Sequence, residues 1–209
     1  MMLLILIGII DMRKFLGLLI FISSAAYTQE LDSLETDTVE ILPKHLVGGF
    51  VELGISQRPG PAGNASMRNV GLGLRYDRYE LEYHVNVFSG DYVERLIFPN
   101  SFALLYAHGG FKLSYYLYES DYFNMAPFIS YQLGDMVWER SDTKEDFLRD
   151  TFSISMVGLK IESPYLRYLR PEVEIGYQRA SNFDLPSLNA DTFTGFFLGF
   201  NVKLGYFNQ

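Results

Sequence analysis

Two glutamate pairs, Glu80-x-Glu82 and Glu172-x-Glu174, are the densest concentration of potential acid/base chemistry in this 209-residue chain. Neighbouring carboxylates can hold different protonation states and so divide the roles of general acid and general base. The same i, i+2 spacing places both side chains of a pair on one face of a β-strand. Opposed to cations on adjacent strands, they would instead form a structural ion network, in which breaking one buried pair costs about 3–5 kcal/mol. The cations available on matching faces are Arg75, Lys112 and Lys203, with Lys160 less regularly placed. Glu52 and His84 complete the set, so the interior candidates are Glu52, Arg75, Glu80, Glu82, His84, Lys112, Glu172, Glu174 and Lys203. The histidines His45, His84 and His108 stand too far apart in sequence for a ligand motif, and the chain has no cysteine. No metal site and no cofactor are therefore expected, and thiolate chemistry and disulfides are excluded.

These residues need strands to position them, and the chain supplies eight alternating apolar/polar runs: 46–57, 67–77, 79–89, 103–118, 124–138, 151–162, 169–180 and 192–207. The hairpin 67–89 is the clearest. Val70, Leu72, Leu74 and Tyr76 alternate with Gly71, Gly73 and Arg75, and Tyr79, Leu81, Tyr83 and Val85 alternate with Glu80, Glu82 and His84. A two-residue turn at Asp77-Arg78 sets Tyr76 opposite Tyr79, Leu74 opposite Leu81, Arg75 opposite Glu80 and Gly71 opposite His84. A one-residue slip would exchange the two faces. The last strand repeats the pattern, with Leu198, Phe200, Val202 and Leu204 against Gly199, Asn201 and Lys203. In 151–162 the apolar parity changes between Phe152-Ile154-Met156 and Val157-Leu159-Ile161, which predicts a bulge or a bend.

Connections between the runs alternate long and short, the rhythm of a barrel with two unlike rims. Each run is long enough for the about 9–11 residues that a membrane-crossing strand requires. The faces carrying charge must point inward, because an arginine or lysine at the lipid midplane costs about 2–4 kcal/mol. Tyr76, Tyr79, Tyr118, Tyr122, Phe123, Tyr165 and Tyr168 gather near the short turns, and Tyr92, Phe98, Tyr106 and Trp138 near the long loops, as in interfacial aromatic girdles. The predicted fold is all-β, an eight-stranded antiparallel up-and-down transmembrane β-barrel over residues 46–209. A soluble lipocalin-like barrel is disfavoured by the continuity of the apolar belt.

Residues 1–29 read as a cleaved secretory signal, with basic Arg13-Lys14, an apolar stretch from Phe15 to Ile22 and the small residues Ser23-Ser24-Ala25-Ala26. Residues 1–11 read as an early misassigned start ahead of Met12. Residues 30–45 are acidic and aperiodic, a periplasmic lead-in. The formal net charge of −8 argues against a nucleic-acid partner.

The export signal, the eight-strand rhythm and the terminal Tyr206-Phe207 resemble the small outer-membrane β-barrel proteins of Gram-negative bacteria, the group that includes the membrane domain of outer membrane protein A. The resemblance implies residence in the outer membrane, contact with its lipid and lipopolysaccharide, and delivery by the barrel assembly machinery; it leaves a protein partner undetermined. Residues 174–205 are similar to the lipid A 3-O-deacylase barrels, whose motif is His-x-Ser-Asn followed by an acid. In that likeness Ser181 matches the nucleophile, Asn182 its neighbour and Asp191 the acid. Arg179 occupies the histidine position, and a guanidinium, always protonated, cannot be a general base. Three functions follow as expectations. The first is a non-catalytic scaffold that displays loops 58–66, 89–100, 139–150 and 181–191 above a plugged polar interior. The second is a deacylase-like hydrolase or its degenerate relative, and the third a narrow channel.

Overall fold

In the computed structural model, eight antiparallel strands follow one another around a closed barrel. The structure describes residues 47–60, 63–88, 102–140, 146–166, 168–182 and 190–207. The strands are β1 (Val47–Gly60), β2 (Gly63–Tyr76), β3 (Tyr79–Phe88), β4 (Phe102–Tyr115), β5 (Asn124–Arg140), β6 (Asp146–Glu162), β7 (Leu169–Ser181) and β8 (Gly195–Tyr206). A single 3-10 turn, Ala190–Phe193, precedes β8. Each strand pairs with its sequence neighbour, and β1 pairs with β8 to close the sheet, leaving no free edge.

The register of the β2–β3 hairpin is the one the alternation predicts, with Arg75 opposite Glu80, Gly73 opposite Glu82 and Gly71 opposite His84. Its turn is possible because Asp77 takes a left-handed conformation at φ 52°, which a short polar side chain tolerates better than a branched one. Alternation then fixes the two faces. Leu53, Ile55, Leu74, Leu81, Phe111, Ile129, Leu133, Ile175, Leu198 and Phe200 are exposed on the outside, and the charged residues line the lumen. Tyr76, Tyr79, Tyr118, Tyr122, Tyr165 and Tyr168 are exposed at the end of the barrel that carries the short turns, matching the girdle expected there.

Several sequence-based expectations change. The signal, the lead-in, His45 and loop 89–100 lie outside the described residues. Residues 58–66 are not a loop: β1 runs to Gly60 and β2 begins at Gly63, and Arg58 is buried in the lumen. No bulge interrupts 151–162. The β5–β6 register is continuous from Asn124↔Glu162 to Trp138↔Leu148, and its one shift falls between Trp138 and Glu139. Phe152, Ile154, Met156, Lys160 and Glu162 all point inward on one parity. The apolar pattern changes phase because the lumen changes character with height, apolar above and charged below, while the backbone keeps its phase. Tyr106, expected in the upper girdle, is also turned into the lumen and is 5% exposed.

The lower lumen is filled by rings as well as charges. A Cβ added at Gly73 would stand 2.1 Å from Cζ of Phe50, which lies flat against the glycine. Gly73→Leu is therefore expected to lower unfolding free energy by about 1–3 kcal/mol through overpacking, measured by reversible urea unfolding in vesicles. A Gly73→Leu barrel of unchanged stability would mean that Phe50 moves freely.

Candidate functional site

The predicted interior residues converge in the lumen. Glu52, Arg75, Glu80, Glu82, His84, Lys112, Glu172, Glu174 and Lys203 are all buried, as is Lys160. Alternation sends every second side chain inward, and closure of the barrel brings residues from β1, β2, β3, β4, β6, β7 and β8 to the same depth.

At the base, Lys203 Nζ reaches Glu80 at 2.6 Å, Glu172 at 2.7 Å and Glu162 at 3.2 Å. Lys160 pairs with Glu80 and lies 2.8 Å from Glu82. Tyr116 donates its hydroxyl to Glu162 at 2.9 Å and to Glu80 at 3.1 Å. Arg170 donates to Glu162 at 2.8 Å. Arg75 pairs with Glu119 and covers the Tyr116 ring at 3.9 Å. One step higher, Lys112 pairs with Glu174 and lies 3.2 Å from Glu82, while His84 Nε2 lies 2.7 Å from Glu82. Charge-assisted bonds of this kind are strong in a low-dielectric interior, and with Arg75 lying 3.7 Å from Glu162 they bind six strands into one network.

Above this layer one cation, Arg58, stands among neutral acceptors. Arg58 donates to Ser56 Oγ at 2.8 Å, to Met156 Sδ at 2.8 Å, to Gln178 at 3.3 Å and to Asn86 at 3.4 Å, and its guanidinium lies over Phe197. His108 bonds to Gln132, which also accepts from Asn86. A small cavity, with room for about one water, lies between Arg58, Asn69, His84, Asn86, Lys112 and Gln132. The top tier is apolar. Tyr106 stacks on Phe152 at 5.1 Å and on Phe193 at 5.3 Å, beside Met67, Met136 and Ile154. Phe193 comes from the 3-10 turn before β8, whose end is tied to the barrel by a bond from Gln178 Nε2 to the Phe193 carbonyl.

Glu162, Arg170, Tyr116 and Arg58 were not among the sequence candidates. Glu162 and Arg170 carry a usable signal, since they continue the inward parity of Lys160 and Glu172 by two residues. Tyr116 also keeps the inward parity of Lys112 and Ser114, one residue past the end of β4, but a tyrosine beside a short turn reads as a girdle residue.

The serine motif is arranged differently. Ser181 ends β7 opposite Ser153, Asn182 turns left-handed at φ 63° and donates to Ser153 Oγ, and Asp191 is exposed in the 3-10 turn. Among the described residues no hydrogen bond or ion pair joins Ser181 to Asp191. His84 and His108 both sit inside the barrel, 4% and 0% exposed. Arg179, at the histidine position of the motif, is exposed on β7. Among the described residues no hydrogen bond joins Ser181 to a histidine.

No protein-family model matches the chain, and no curated protein sequence matches it. Among solved structures, Neisserial surface protein A aligns at a TM-score of 0.52 with 8% identity, over 76% of this chain and 96% of that one. The N-terminal β-barrel domain of Pseudomonas aeruginosa OprF aligns at 0.50 with 10% identity, over 76% of this chain and 97% of that one. At such identities the likeness is one of fold, and the chain shares with both the small eight-stranded antiparallel barrel.

Proposed function

We propose that the protein is an integral outer-membrane barrel that acts as a non-catalytic scaffold, holding its upper loops at the cell surface over a lumen closed to ions. The observation that carries this reading is the pairing of an apolar exterior with a filled interior. Ile129 is 61% exposed, Leu133 61% and Ile175 55%, and a continuous belt of such residues is untenable in water. Lipid is its natural solvent. A closed sheet leaves no backbone group unpaired at the lipid boundary, the condition any strand protein must meet to span a bilayer.

Upward-facing charge supports contact with the lipopolysaccharide leaflet. Arg149 and Asp135 pair at 3.1 Å on the outside of the barrel, above Leu133, where the apolar belt gives way to headgroups. Phe207 packs on Phe50 with ring centroids 5.7 Å apart, so the terminal aromatic that the assembly machinery would engage ends up as part of the lower seal. The fold's likeness to Neisserial surface protein A and to the OprF barrel is consistent with this setting.

Two measurements test the reading. The protein is expected in the outer-membrane fraction as a folded band whose gel mobility shifts on boiling; a soluble protein without the shift would overturn the membrane assignment. Reconstituted in a planar bilayer, it is expected to pass negligible current, because charged residues and aromatic rings fill successive heights of the lumen. Steady single-channel openings would replace the scaffold with a channel.

A further inference from the structure

The lower lumen is not evenly matched. Six buried carboxylates, including Glu52 and Glu162, stand against five buried cations: Arg75, Lys112, Lys160, Arg170 and Lys203. Arg58, the remaining buried cation, is occupied higher up with neutral acceptors. The surplus negative charge lies at Glu52, which is fully buried and whose two carboxylate oxygens accept no hydrogen bond. A buried carboxylate without a donor is costly, and its surroundings sharpen the anomaly. His84 Nε2 lies 2.7 Å from an oxygen of Glu82, so that nitrogen carries the ring proton. In the neutral ring the lone pair of Nδ1 then faces Glu52 Oε1 at 3.4 Å. Two electron-pair donors confront each other, and the neighbouring cation, Lys112, is engaged by Glu174 and Glu82.

We propose that Glu52 and His84 Nδ1 are ligands of a divalent metal ion of the zinc type, bound in the lower lumen. The 3.4 Å separation is the edge of a tetrahedron whose centre lies about 2.1 Å from each corner, the distance at which zinc takes imidazole nitrogen and carboxylate oxygen. Glu52 also lies within 4.8 Å, ligand atom to ligand atom, of Glu172 and Glu174, but those carboxylates are held by Lys203 and Lys112, so water would complete the coordination. Glu82 would serve from behind, accepting the Nε2 proton of His84 and fixing the ring so that Nδ1 points at the metal, the usual carboxylate–histidine–metal relay. Mixed imidazole and carboxylate donors favour zinc, manganese or iron over calcium. Gly71 keeps the approach clear: it lies between Glu52 and His84 across the sheet, and a Cβ there would stand 3.0 Å from His84 Nδ1.

The test uses the full-length protein, purified folded in detergent, stripped with a chelator and dialysed against zinc chloride or cobalt(II) chloride. The wild type is expected to retain about one metal ion per chain, and the cobalt form to show the visible ligand-field bands of a tetrahedral site. Glu52→Gln keeps the volume and removes the charge, and is expected to weaken zinc binding at least about 10-fold. Gly71→Ala leaves every ligand in place and is expected to weaken it by crowding His84, which gives a second reading if Glu52→Gln fails to fold. A folded wild type that takes up no zinc or cobalt would overturn the site, leaving Glu52 as a protonated acid. Metal retention unchanged in both variants would place any bound ion elsewhere and equally overturn it.

Discussion

Lys203→Met is expected to destabilise the folded barrel by about 3–5 kcal/mol, the cost of removing one partner from a buried ion network. Lys203 serves three carboxylates at once, Glu80, Glu162 and Glu172, each within 3.2 Å of its ammonium. Methionine fills a similar volume but leaves those carboxylates with fewer cations in a place where water cannot replace them. Reversible urea unfolding in lipid vesicles, followed by heat-modifiable mobility, measures the loss. The double variant Lys203→Met, Glu172→Gln is expected to recover part of it, because one uncompensated charge goes with its counterion. A single variant within about 1 kcal/mol of wild type, the range of an exposed pair, would show that the network is solvated and the lumen wet.

Ile129→Arg, on the opposite face of the sheet, is expected to cost about 2–4 kcal/mol in vesicles, the penalty for arginine near the middle of the lipid-facing belt. Ile129 is 61% exposed and stands opposite Leu113 on β4 and Val157 on β6, themselves outward and apolar. The comparison that isolates the membrane is Tyr122→Arg, in the short connection between β4 and β5 at the lower rim. Tyr122 is 81% exposed among the rim tyrosines, at headgroup depth, where the penalty falls to about 0–1 kcal/mol. Equal penalties at the two positions would mean that the outer face meets something other than a bilayer.

Most of the architecture is readable in the residue order, for a reason visible in β2 and β3. Where the lumen is charged and the outside apolar, chemistry alternates with direction, so Glu80, Glu82 and His84 announce their face and Leu81, Tyr83 and Val85 announce the other. The register follows, since only one alignment puts Arg75 beside Glu80. The reading fails higher up, where inward residues are themselves apolar. Phe152, Ile154 and Met156 look like a lipid face and are a core, which is why the change at Met156-Val157 resembles a bulge in the sequence and is none in the structure. Arg58 is hidden for a related reason: it follows Gln57 and precedes Pro59-Gly60, residues typical of a turn, yet the strand continues through them. The candidate metal ligands were each legible as inward polar residues. Their convergence was not, because the gap at Gly71 that lets His84 lean toward Glu52 depends on three strands meeting at one height.

The position of Lys203 in the chain bears on how the barrel comes together. Its three carboxylate partners lie on β3, β6 and β7, while Lys203 itself arrives on β8, the last strand to be made. A sheet that has assembled only as far as β7 exposes open edges on β1 and β7 and also holds Glu80, Glu162 and Glu172 without their common counterion. Docking the final strand mends the seam and neutralises the charge in the same motion. Closing the sheet and balancing the charge of its lower lumen thus depend on the same strand.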